Sequence, residues 1–134
     1  MVVAVVVDTS FLMIPAEFGI DIFAESERTL QKHVDFVVLK SVLREIETKA
    51  KLESASGDAK FRVAGNLAKR CRPADVSPDV AGLPVDDQLL DYAVRVKGVL
   101  ATNDRRLRER ARERGVPVLL MRGKKRLVLE GIMD

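Results

Sequence analysis

Four acidic positions each follow or open an apolar run. Asp8 ends VVAVVV (2–7) and is followed by Thr9 and Ser10, and Asp104 comes directly after VLATN (99–103). Asp86 and Asp87 open DDQLLDYAVRVKG (86–98), and Glu45 lies within SVLREIETKAK (41–51). Carboxylates gathered in a partly dry site repel one another unless a cation lies between them. Such a set suits Mg²⁺ or Mn²⁺, hard ions that take oxygen ligands and keep several waters. The matching chemistry is water attack on a phosphodiester, where one or two ions activate the water and neutralise developing charge. The plain alternative for every one of these acids is a helix cap or compensation of a helix dipole.

Other chemistries lack their residues. His33 is the only histidine and Cys71 the only cysteine, so Cys/His zinc sites and a Cys–His nucleophile pair are excluded in practice. No Gly-rich phosphate loop of Rossmann or Walker type is present. A phosphoacceptor domain needs an acid after the strand at 35–40, where Lys40-Ser41 stands. An Asp-x-Asp phosphatase needs an acid where Ser10 stands.

The elements that would position these acids are read from periodicity. Val2–Val7 reads as a strand buried on both faces, as in the middle of a parallel sheet. Further strands are expected at 35–40, 99–102 and 116–121, with a tail strand at 125–132. Helices are expected at 25–34, at 41–51 with Ser41 as its cap, at 59–71, at 86–98 closed by Gly98, and at 104–114 closed by Gly115. Residues 72–85, with three prolines, read as a loop holding at most a short strand. Strands alternating with helices give an α/β fold, a mostly parallel sheet of about 4–5 strands with helices on both faces. In such sheets ligands bind beyond the carboxyl ends of the strands, where Asp8 and Asp104 fall. Asp86 shares a helix face with Leu89, Leu90 and Ala93, so it fits better than Asp87 as the inward residue. The same geometry does not choose Glu45 over Glu47.

The chain has 134 residues, 47% hydrophobic and 32% charged, which fits one globular unit spanning 1–134. The absence of any apolar run near the ~18 residues that span a bilayer, together with a single cysteine, points to the reducing cytoplasm and away from a membrane. Charge is uneven. Residues 101–134 carry ten Lys/Arg against five acids, a net +5, and the remainder is −2. The basic segment 104–126 points to a polyanionic partner, with Arg105, Arg108, Arg112, Lys124 and Lys125 as candidates for phosphate contacts. Aromatics are too few, five Phe and one Tyr, for an extended base-stacking platform.

VVVDTSFLMIP, VLREIE, VDDQLLDYA and VLATNDRRLRERARERGVPVLLM resemble, in order, the four acidic motifs of the PIN-domain nucleases. The similarity covers essentially the whole chain. DTSFLMIP and the closing RGVPVLLMRGKKRLVLEG look closest to the archaeal and eukaryotic branch of small-subunit ribosomal RNA processing, and VapC-type toxins are the next nearest branch. The resemblance implies a metal-dependent endoribonuclease leaving a 5′-phosphate and a 3′-hydroxyl. It implicates Asp8, Glu45, Asp86 and Asp104 as the catalytic, metal-holding acids. Ser10, Thr102 and Asn103 would support them, and Asp87 stays open as a ligand in place of Asp86. Arg106 stands where many members carry a further acid. The resemblance also implies RNA as substrate, an antitoxin or ribosome-assembly partner, and a homodimer. The apolar run Phe11, Leu12, Met13, Ile14, in excess of what a small core obviously needs, is a second ground for the homodimer. A non-catalytic RNA-binding scaffold of the same fold is the rival reading.

Overall fold

The computed structural model describes residues 2–53, 55–56 and 58–133, so the two ends of the expected 1–134 unit lie outside it. The elements are β1 (Val2–Val7), α1 (Thr9–Leu12), α2 (Ile14–Phe18), α3 (Ile22–Leu30), β2 (His33–Leu39), α4 (Lys40–Glu53) and α5 (Lys60–Ala68). They continue as β3 (Arg72–Ala74), α6 (Val85–Val96), β4 (Val99–Ala101), α7 (Arg105–Glu113), β5 (Val118–Arg122) and β6 (Arg126–Glu130). The sheet runs β3-β2-β1-β4-β5-β6. All neighbours are parallel except β5 and β6, which pair antiparallel.

The valine run does what its composition dictates. Val5, Val6 and Val7 are fully buried, covered on both faces as a central parallel strand must be. The chain builds outward from β1 to β2 and β3 on one side, then crosses to β4 and β5 on the other. The reversal falls between β1 and β4, where Val7 pairs with Ala101. That is the topological switch point at which open α/β sheets place ligands.

Several expectations are corrected. Among the described residues the sheet has six strands, because Arg72–Ala74 joins it as one edge beside the expected tail strand, Arg126–Glu130, at the other. Ser41 does not cap α4. The helix starts at Lys40, directly from the last residue of β2, and the Ser41 hydroxyl oxygen is buried without a hydrogen-bond partner. Gly98 does not provide the left-handed turn that closes α6; Lys97 does, at φ 52°. Gly98 is needed for space instead, since a Cβ there would lie 2.8 Å from the Ala4 carbonyl oxygen. The third helix starts earlier than expected, at Ile22, because the Asp21 carboxylate accepts the Phe23 and Ala24 N–H groups. Residues 9–18, read as no regular element, form α1 and α2. Phe11, Leu12 and Ile14 are at most 1% exposed and Met13 is 9%. The core uses them all, which removes this run as a ground for a homodimer. Among the described residues no helix is long and apolar enough to cross a membrane.

Candidate active site

Asp8 follows β1 and caps α1. One of its carboxylate oxygens, Oδ1, accepts the Phe11 N–H at 3.0 Å and the Ser10 hydroxyl at 2.6 Å. The other, Oδ2, accepts the Thr102 hydroxyl at 2.5 Å. Asp104 follows β4 and caps α7 through the Leu107 N–H, 3.1 Å from its Oδ1. Capping and clustering are therefore not alternatives here: the residues that start the two helices also face each other across the switch point. Ser10 and Thr102 tie the two loops together. The Ser10 oxygen accepts the Asn103 N–H at 2.9 Å, and the Thr102 oxygen accepts the Asp104 N–H at 3.0 Å.

Glu45 reaches the same place from the second turn of α4, where its carboxylate accepts the Thr9 hydroxyl at 2.8 Å. Asp86 arrives from the first turn of α6. Together Asp8, Glu45, Asp86 and Asp104 line one open cleft of about 360 Å³, with Ser10 and Asn103 beside them. Glu47 is exposed and does not line it. Asp87 turns away to pair with Arg110. Thr102 lies beneath the cleft, fully buried.

Burial dominates the electrostatics of the acids, and like charge adds to it. Burial pushes the Asp8 carboxyl up to about 6, against three hydrogen bonds that pull it down, and Asp104 adds repulsion. Asp86 is also raised, first by burial and then by Asp104, with smaller contributions from Asp87 and Glu45; Arg110 opposes them. Among the described residues no group of three or more His, Cys, Asp or Glu is close enough to enclose an ion by itself. The donor set still fits a hard cation that keeps most of its waters. It is all oxygen, it is open, and its acids are mutually repelling. Cys71 is no rival, since it is buried away from the cleft and its thiol is pushed up to about 11 by that burial. His33 is exposed at the start of β2, the opposite end of the sheet.

The five basic candidates do not form one row. Arg105 opens α7 at the carboxyl edge and pairs with Glu109 at 3.3 Å. Lys124 and Lys125 sit in the turn between β5 and β6, also at that edge. Arg108 lies near Glu130, at 3.9 Å. Arg112 is seven residues along α7 from Arg105, roughly 10 Å toward the other edge. The sequence reading missed Glu17, Lys49 and Phe61, which line the cleft. Lys49 was discoverable as the i+4 neighbour of Glu45, to which it lies at 3.9 Å. Glu17 was hidden by the unrecognised α2.

Residues 5–124 match the family described as a PIN like domain. The chain is 31% identical over 132 residues to Ribonuclease VapC4 of Methanocaldococcus jannaschii, covering 96% of this chain and 98% of that protein. Its fold is similar to that of the PIN domain endonuclease Utp24, with a TM-score of 0.78 at 24% identity over 98% of this chain and 93% of that one. It is also similar to PAE2754 from Pyrobaculum aerophilum, with a TM-score of 0.55 at 21% identity over 78% and 77% of the two chains.

Proposed function

Since this chain belongs to the PIN-like domain family, we propose that it is a metal-dependent endoribonuclease acting at the four-acid cleft. The observation that carries the reading is the gathering of Asp8, Glu45, Asp86 and Asp104 in one cleft at the switch point, with Lys49 as the one described base in its lining and with Asp8 and Asp86 raised chiefly by burial. The 31% identity to a protein named as a ribonuclease supports RNA as the substrate.

Asp8, Glu45, Asp86 and Asp104 would hold Mg²⁺ or Mn²⁺, which supplies Lewis acidity toward water and the phosphate oxygens. The chain's own contribution is positioning. The Asp8 carboxylate is fixed by Ser10, Thr102 and the Phe11 N–H, and Thr9 fixes Glu45. Hydrolysis adds water oxygen to phosphorus and breaks the bond to the 3′ oxygen, which takes a proton. The products are a 5′-phosphate and a 3′-hydroxyl. Arg105, Lys124 and Lys125, at the same edge, would meet flanking phosphates, and Arg108 and Arg112 would reach RNA that continues along α7. The domain is taken as a single unit, 1–134, with 104–126 as its basic segment.

For the biological setting, the resemblance of DTSFLMIP and the closing RGVPVLLMRGKKRLVLEG to the small-subunit branch favours ribosomal RNA processing with an assembly partner. The alternative is the VapC-type branch, a toxin held by an antitoxin, in line with the 31% identity to a protein named Ribonuclease VapC4. A homodimer is retained as part of either setting.

The deciding experiment is cleavage of an RNA oligomer in Mn²⁺ by the wild-type chain and by Asp104→Asn. The expected result is that the variant binds RNA as well as before, or better, and does not cut it. A wild-type chain that binds RNA without cutting it, and is indistinguishable from Asp104→Asn, would make this a binding scaffold.

A further inference from the structure

Beside its acids the cleft is lined by Met13, Val42, Phe61, Val85 and Leu89. Among the described lining residues Phe61 is the only aromatic and Lys49 the only base. Phe61 packs partly against the core as well as lining the cleft, and the other phenylalanines do not line it. Phe11 and Phe23 are core, Phe36 packs edge-on against Phe23 with ring centroids 4.8 Å apart, and Phe18 packs on the core away from the cleft.

Phe61 is also held firmly in place. It stands in the first turn of α5, and the buried Glu53 carboxylate at the end of α4 accepts its N–H at 3.0 and 2.9 Å and that of Arg62 at 3.1 Å. Together with Asp58, which accepts the Ala59 and Lys60 N–H groups, this carboxylate anchors the start of α5 and so the backbone that carries the ring. The Lys49 ammonium lies 5.4 Å from the ring centroid and 3.9 Å from Glu45, with its side chain 49% exposed. A ring and a half-exposed cation thus stand side by side at the border of the acids.

We propose that Lys49 and Phe61 form a nucleotide subsite beside the reacting phosphodiester, in which the ring takes an unstacked base and the ammonium takes the adjacent phosphate. The inference rests on the ribonuclease reading and adds a recognition element to it. A polyanion entering a cleft lined by five acids meets repulsion, and Lys49 is the cleft's own remedy. Its flexible stem lets the ammonium exchange the Glu45 carboxylate for a phosphate oxygen without moving the backbone. As it leaves, it uncovers the ring face. Any base can stack on an aromatic ring, so the subsite selects an unpaired nucleotide and not a particular sequence. A single ring accommodates one base, which fits a chain poor in aromatics.

The test uses the Asp104→Asn chain, so that binding is read without cleavage. The probes are a single-stranded RNA octamer carrying 2-aminopurine at successive positions, and the same octamer with an abasic site at the position giving the largest fluorescence change. Removing the base is expected to weaken binding about tenfold. Phe61→Leu is expected to weaken the base-bearing octamer by about the same factor and leave the abasic one unchanged, while Phe61→Trp keeps the difference. Lys49→Met is expected to weaken both octamers and to reduce the slope of log affinity against log salt by about 0.7. Melting temperatures of each variant show whether the fold is intact. If Phe61→Leu weakens both octamers equally, or neither, or if Phe61→Trp abolishes the difference, the subsite is overturned. Failure of the ribonuclease reading is seen separately, as absence of Mn²⁺-dependent cutting by the wild-type chain.

Discussion

The sheet has two ends, and the chain builds a hollow at each. At the amino end, a groove of about 590 Å³ is lined by Val2, Val94, Val96 and Pro117, among others. Its one described acid, Asp35, is occupied by Arg72 at 2.8 Å. At the carboxyl end the acidic cleft is smaller, about 360 Å³. Size therefore points to the wrong place. Charge at helix ends does not discriminate either. Helices begin at the carboxyl end and finish at the amino end, so acids gather at one and bases at the other by dipole compensation alone. Lys97 and Arg114 cap the ends of α6 and α7 just as Asp104 caps the start of α7. The difference lies in solvent. Lys97 and Arg114 are exposed, whereas Asp8 is 7% exposed and carries a proton affinity that burial has raised. Charge kept where it is electrostatically unfavourable marks a site; charge placed where it relaxes does not.

The largest expected effect sharpens that contrast. Asp86→Asn should lower kcat/KM for RNA by about a hundredfold or more, the scale of losing one preorganised electrostatic group. Asp87→Asn should cost far less, since Asp87 belongs to Arg110 outside the cleft. Val94→Ala in the amino-end groove should change cleavage by no more than about twofold. Steady-state kinetics on the three variants break the comparison if Val94→Ala cripples cleavage or Asp86→Asn spares it.

Next in size is a purely structural cost at the amino end. Gly98→Ala places a methyl against the Ala4 carbonyl, backbone that cannot yield cheaply. It should destabilise the fold by about 1–3 kcal/mol, the usual cost of overpacking, in a denaturant melt. Cleavage per folded molecule should be unchanged.

The smallest effect is on the pH dependence at the carboxyl end. The folded Asp8 carboxyl lies at about 6 against an ordinary 3.8, so the folded state binds its proton more tightly. That contribution to stability is complete below the ordinary value and is lost as pH rises through about 6. The metal-free chain should therefore lose on the order of 1 kcal/mol between pH 5 and pH 7 that Asp8→Asn does not lose. Mn²⁺ at pH 7 should restore wild-type stability, because only the folded chain gathers the acids. Chemical denaturation at the two pH values, with and without Mn²⁺, reads this. Equal slopes for the two chains would mean that Asp8 is not strained.

The legible parts of the molecule were those where one residue type repeats or stops abruptly. The valine run, the Asp after it, and the Asn-Asp before an arginine-rich helix located β1, β4 and two acids, because burial and capping act within a few residues. Elements that depend on distant partners were harder to read. Arg72–Ala74 is a three-residue edge containing Pro73, given strand identity only by β2. The short α1 and α2 carry no helical period, since all four residues from Phe11 to Ile14 are buried. Lys49 and Phe61 lie on different helices, and only the α4–α5 hairpin, closed by Glu53, brings them together.

The junction between β2 and α4 has no loop: Leu39 ends the strand and Lys40 begins the helix. Glu45 is therefore geared to the sheet like a tooth on a shaft. One residue inserted between Leu39 and Lys40 would rotate it by about 100°, carrying it off the cleft together with Lys49, while leaving every hydrogen bond of the sheet intact. Residues 75–84, between β3 and α6, can change in length through loop rearrangement. At Leu39–Lys40, a change in length alters the direction in which Glu45 faces, so here chain length itself is part of the cleft's geometry.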